Sequence, residues 1–139
     1  MDIDECIEAG LLQKTRPDAV LAEKEWREAL LDLSEAKALL KGEMFKRSIE
    51  AGYYSMFHAA KAILFKNGFR EKAHFAIIVV LEDLAKKGKL EQRFVDDYRA
   101  ALHAREGADY HYTHSKETAS DLLSIADEFV AEMKRIYKT

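Results

Sequence analysis

The chain is poor in the residues that build cross-linked or turn-rich folds, with one cysteine, one proline and six glycines in 139 residues. A lone Cys6 cannot close an intramolecular disulfide, and no set of Cys and His stands at the spacing of a structural zinc site. The usage fits a reducing cytoplasm. No apolar run approaches the roughly 20 residues that span a bilayer. The opening MDIDECIEAG is acidic and lacks the basic and apolar blocks of a signal peptide, so neither export nor membrane insertion is expected. An excess of positive charge is also missing. With 22 Lys and Arg against 25 Asp and Glu, the net charge is −3, which leaves only a local basic patch as a route to nucleic acid. There is no Gly-rich phosphate loop and no HExxH-like helical spacing, and no metal or cofactor is expected.

What the chain has is apolar residues at helical intervals. A composition of 48% hydrophobic and 34% charged residues is that of a helix-rich globular protein, and the length suits one domain spanning residues 1–139. Ile3, Cys6, Ile7, Leu11 and Leu12 form a short helical pattern that Thr15, Arg16 and Pro17 interrupt, and Pro17 suits the first turn of the next helix. From there to Lys41, Val20, Leu21, Trp26, Leu30, Leu33, Ala36, Leu39 and Leu40 recur every three or four residues, the period of one buried face. Gly42 ends that helix. Glu43 to Asn67 is apolar almost all round in its middle, as a helix inside a bundle is, and Asn67-Gly68 stops it.

His74 to Lys87 predicts a further helix. The β-branched run Ile77 to Val80 would also read as a buried strand, but length and the lack of a second strand favour helix. After Gly88, Leu90 to Arg105 resumes helical spacing through Phe94, Val95, Tyr98, Leu102 and His103, and Gly107 marks its expected end. Ser115 can cap a last helix that runs to Tyr137. The expected fold is all-α: an up-and-down bundle of about five helices with a short leading one.

Chemistry concentrates in RAALHAREGADYHYTH, Arg99 to His114, which holds Arg, Glu, Asp, Tyr and three His. Two stretches together resemble the HEPN family of small all-α domains. The first is AGYYSMFHAAKAILFKNG, Ala51 to Gly68, which is similar to that family's central helix. The second is Arg105 to His111. Active members carry Arg, four to six residues, then His, with a polar residue often directly after the Arg. Here five residues separate Arg105 from His111, and the polar neighbour is Glu106 where Asn, Asp or His is usual. The members whose toxins are adenylylated carry His-x-Tyr, whereas Tyr112 directly follows His111.

The resemblance implies a toxin-like, metal-independent endoribonuclease of a toxin–antitoxin pair. It would act on RNA as a homodimer, with the site at the interface and a nucleotidyltransferase as antitoxin. Histidine can take or give a proton near neutrality, and arginine offers planar paired donors to phosphate. Arg105, His111 and Glu106 are therefore the expected catalytic set, with a second His supplied across the dimer. Asp109 would orient His111 or Arg105, and Tyr110 and Tyr112 would stack on bases.

Simpler roles stand beside these. Arg105 can cap a helix or pair with Glu106 or Asp109, and His111 can be a solvated loop residue. Tyr110 and Tyr112 can pack between helices, His58 and His103 can be satisfied core residues, and His114 can simply precede the last helix. Two other functions remain open. One is a non-catalytic module that partners a nucleotidyltransferase or binds nucleotide, and the other is a structural homodimer in which Arg105 sits in an intrachain salt bridge.

Overall fold

In a computed structural model that describes residues Met1–Thr139, the periodic segments are helices and the class is all-α. Six helices hold 76% of the chain. Helix α1 (Ile3–Glu8) starts from a capping box in which Asp2 and Glu5 each bond the other's backbone N–H. It is shorter than its apolar pattern predicts. Gly10 adopts a positive φ and turns the chain into strand β1 (Leu12–Lys14), which pairs antiparallel with β2 (Phe69–Glu71). Leu12 faces Glu71 and Lys14 faces Phe69.

Gly68, just before β2, has φ +80°, and a Cβ there would lie 2.7 Å from the Thr15 carbonyl oxygen. Glycine meets both demands at once, and its own carbonyl then accepts from the Thr15 N–H at 2.8 Å.

Helix α2 (Ala19–Lys41) is capped by Asp18, which accepts from the Leu21 N–H at 3.0 Å. Pro17 therefore lies ahead of the cap and not in the first turn, because the Asp18 carboxylate satisfies an amide that proline would only have left out. Helix α3 (Phe45–Lys66) is the centre of the bundle, with thirteen of its 22 residues buried. Full burial of each large apolar side chain is worth about 1.5–3 kcal/mol, so α3 organises the core. At its start Ser48 Oγ donates to the Ala36 carbonyl of α2 at 2.9 Å. Gly52 allows Leu122 to approach to 3.5 Å of where a Cβ would stand.

Helix α4 (His74–Lys86) contains the β-branched run as buried helix. Helix α5 (Gln92–Tyr110) continues five residues past Arg105, and α6 (Lys116–Tyr137) is capped by Ser115, as expected. Gly107 lies within α5 and does not end it. Its missing side chain leaves room for the returning chain, since Thr113 Oγ1 would be 2.8 Å from a Cβ, and its carbonyl accepts from the N–H groups of both His111 and Thr113.

One continuous core joins residues from all six helices and β1. Helix α2 runs antiparallel to α6, with Trp26 against Tyr137 at one end and Lys37 paired with Asp127 further along. The C-terminal end of α5 meets the N-terminal end of α3, so the motif segment sits at the opposite end from Tyr137. No helix is long and apolar enough to cross a membrane.

Candidate functional site

Arg105 projects from α5 onto α3, where consecutive tyrosines receive it. Its Nη1 donates to the Tyr54 hydroxyl at 2.9 Å, and its guanidinium carbon lies 5.1 Å from the centre of the Tyr53 ring and 5.7 Å from that of Tyr54. Its side chain is only 14% exposed. Burial works against the charge, but the Tyr54 and Tyr53 hydroxyls and the Asp109 carboxyl outweigh it and hold the guanidinium above its ordinary range. Nη2 makes no bond within the chain and is not buried, so one edge of a fixed, permanently charged fork stays open.

The tyrosines are fixed in turn. Tyr53 Oη lies 2.7 Å from His74 Nδ1 of α4 and 3.1 Å from Tyr98 Oη of α5, and the His74 ring stacks on Phe57 at 4.4 Å. Burial pushes the Tyr53 hydroxyl up to about 12 and that of Tyr98 well above its usual value, so both remain neutral donors. Burial, seconded by the positive charge of Arg105, lowers His74.

Below the ordinary histidine value of about 6.5 the unfolded chain takes up a proton that the folded chain resists, so stability falls as pH drops through that range. His74→Gln can keep a bond to Tyr53. Urea midpoints between about pH 7.5 and 5.5 should decline less in that variant than in the wild type, whereas equal declines would place the acid sensitivity elsewhere.

Asp109, one turn beyond Arg105, holds Oδ2 at 3.8 Å from Arg105 Nε. The neighbouring carboxyl of Glu50 on α3 raises Asp109 above its ordinary value, with burial adding to the effect. Burial opposes ionisation of Glu50, but the neighbouring Asp109 and the bond from Arg47 lower it. The Arg47 bond measures 2.8 Å. Of three buried side-chain atoms left without a partner in the whole chain, two are here: Arg105 Nε and Asp109 Oδ1.

The other residues singled out in the sequence are more open. His111 is the C-cap of α5 with an exposed side chain, and Glu106 is exposed. Arg105 pairs with Asp109 and not with Glu106. Tyr110 and Tyr112 are 67% and 79% exposed, so they do not pack between helices. Between them the chain turns back: Tyr112 takes φ +56°, and the Thr113 N–H then bonds the Gly107 carbonyl of α5. His103 is also exposed, on the outer face of α5.

His58 is a structural tie, as expected. Its Nδ1 lies 2.5 Å from Glu25 and its Nε2 3.7 Å from Asp32, both on α2, while Lys61 bridges Glu25 and Glu71. A cavity of about 460 Å³ between the ends of α3 and α6 is lined by Lys66, Lys89 and Arg135. Lys66 and Arg135 lie in the last turns of those helices, where cations complement the helix dipoles.

A helical bundle that presents an Arg and a His at the end of its penultimate helix defines the class. The HEPN domain model matches residues 22–136, and the chain belongs to the HEPN domain family. It is 29% identical over 111 residues to "Putative toxin MJ0605" of Methanocaldococcus jannaschii, covering 77% of this chain and 81% of that protein. It is 30% identical over 104 residues to a UPF0332 protein of Archaeoglobus fulgidus, covering 73% and 83%. A shorter match, 45% over 47 residues, joins it to the UPF0332 protein PH1297 of Pyrococcus horikoshii and covers about a third of each.

The site residues that sequence reasoning missed are Glu50, Tyr53, His74 and Tyr98. Tyr53 is separated from His74 by 21 residues and from Tyr98 by 45. The doublet Tyr53-Tyr54 on an otherwise apolar helix was the one available signal.

Proposed function

We infer that this chain is a toxin-like endoribonuclease that cleaves RNA without metal. The observation that carries the reading is Arg105, whose charge is fixed by Tyr54 and Tyr53 while its outer edge stays open, six residues before His111 at the same helix end. Membership of the HEPN family and a relative named as a putative toxin support it. Arg105 binds the scissile phosphate, and His111 takes the proton of the 2′-hydroxyl. Glu106 is a polar accessory, and the exposed Tyr110 and Tyr112 offer faces for bases. A homodimer would bring two such segments together, and the cognate antitoxin would be a nucleotidyltransferase.

The test is incubation of the purified protein with mixed-sequence RNA in EDTA. Cleavage that leaves 2′,3′-cyclic phosphate ends, and that drops about 100-fold or more in His111→Ala, is the expected result. RNA left intact by folded wild type would overturn the reading. A second reading is a structural homodimer without catalysis, and the intrachain partners of Arg105, Tyr54 and Asp109, favour it. A stable dimer that leaves RNA intact would select it.

A further inference from the structure

Tyr53 and Tyr54 are consecutive on α3, yet their hydroxyls are engaged differently. Tyr53 is fully enclosed, and its hydroxyl has two partners, His74 Nδ1 at 2.7 Å and Tyr98 Oη at 3.1 Å. Tyr54 is only half-buried, and its hydroxyl has one partner, Arg105 Nη1 at 2.9 Å. A phenolic hydroxyl both donates and accepts, whereas a guanidinium only donates. Arg105 therefore occupies a lone pair of Tyr54 Oη and leaves its proton uncommitted, turned away from Nη1. No side chain packed against the Tyr54 ring takes that proton. Tyr53 and His74 are bonded to each other, the two ring nitrogens of His58 face Glu25 and Asp32 on α2, and Phe57 offers no acceptor. Asp109 approaches the guanidinium at Nε and not at Nη1.

The uncommitted proton thus stands beside the open edge of Arg105. A phosphate oxygen bonded to Nη2 is also next to Nη1, because both nitrogens belong to one planar fork, and Nη1 is the atom that bonds Oη. We propose that Tyr54 is a second donor to the phosphate that Arg105 holds, its O–H bonding one non-bridging oxygen while the guanidinium bonds the other. This deepens the reading of the chain as a ribonuclease and rests on it. The ligand is a phosphodiester, met by a charged fork and by a neutral hydroxyl that the fork itself fixes. Negative charge on the non-bridging oxygens grows as the 2′-oxygen attacks, so both donors act on the rate as well as on binding. Tyr53 keeps its ring against the guanidinium and its hydroxyl on His74 and Tyr98, and it gives the ligand nothing.

The experiment places sulfur at one or the other non-bridging oxygen of a single RNA linkage and separates the two diastereomers, since sulfur accepts hydrogen bonds poorly. Wild type, Tyr54→Phe and Tyr53→Phe are assayed on both and on ordinary RNA, with EDTA present so that no metal's preference for oxygen enters. Tyr54→Phe keeps the ring and loses only the hydroxyl. It should cleave ordinary RNA about 10- to 100-fold more slowly than wild type, and one diastereomer should show the same loss. On the other, whose sulfur faces Tyr54, wild type is already slow and the substitution should cost little more. Tyr53→Phe should slow all three substrates by one common factor.

A Tyr54→Phe loss of equal size on all three substrates would reduce Tyr54 to a support for Arg105 and overturn the proposal. So would unchanged cleavage of ordinary RNA by Tyr54→Phe, or a diastereomer-selective loss that appears in Tyr53→Phe instead. Wild type that cleaves none of the substrates would remove the ribonuclease reading itself, and the proposal with it.

Discussion

Arg105→Ala should abolish measurable RNA cleavage while the protein stays folded. Removing one preorganised electrostatic donor typically costs about 10²–10³ in rate. The loss should sit at the upper end here, since no other cation bonds Tyr54 at this site. Stability should change by no more than about 1–2 kcal/mol, because the lost bond to Tyr54 and the ring contacts are offset by release of a charge held with an unpartnered Nε. Arg105→Lys should restore little, because an ammonium cannot bond Tyr54 and span a phosphate with the same planar fork. Single-turnover cleavage and urea midpoints on the three proteins check this. Full activity in Arg105→Ala would remove Arg105 from the chemistry, and full activity in Arg105→Lys would reduce its role to charge alone.

The largest loss of stability should come from Phe129→Ala. Phe129 is fully buried on α6, and its ring lies 5.6 Å from that of Tyr98, so it supports the Tyr98–Tyr53–His74 network from below. Truncating a buried Phe costs about 3–5 kcal/mol, against a total of roughly 5–15 for an ordinary domain. The variant should unfold at markedly lower urea, and Phe129→Leu should fall between it and wild type. A shift below about 1 kcal/mol would mean that the core closes over the cavity.

The helices were legible in the sequence because a buried face repeats every three to four residues over five or six turns, as along α2 and α6. Ser115 was legible because a cap is a local bond, from the Thr118 N–H to a side chain three residues earlier. What was not legible depends on distant partners. β1 and β2 are three residues each and show no periodicity, and their pairing joins positions nearly sixty residues apart. Gly107 looked like a helix stop because its reason is the return of Thr113 over α5, which no local pattern records. The Arg105-to-His111 spacing and the pairing of Arg105 with Asp109 were visible, yet Tyr54, 51 residues away, was not. The Glu50–Asp109 pair was hidden for the same cause, since an acid is perturbed only when the fold supplies its neighbour.

Trp26, the only tryptophan, is nearly enclosed with its ring edge-on to Tyr137 at 5.5 Å and its indole N–H unbonded. Such an indole emits at short wavelength and shifts to the red when water reaches it. Tyr137 meets Lys66, roughly 18 Å along α3 from Tyr54 at 1.5 Å per residue. The chain therefore carries an optical gauge of its own closure, set far enough from Arg105 that an oligonucleotide bound there leaves the colour unchanged while unfolding alters it.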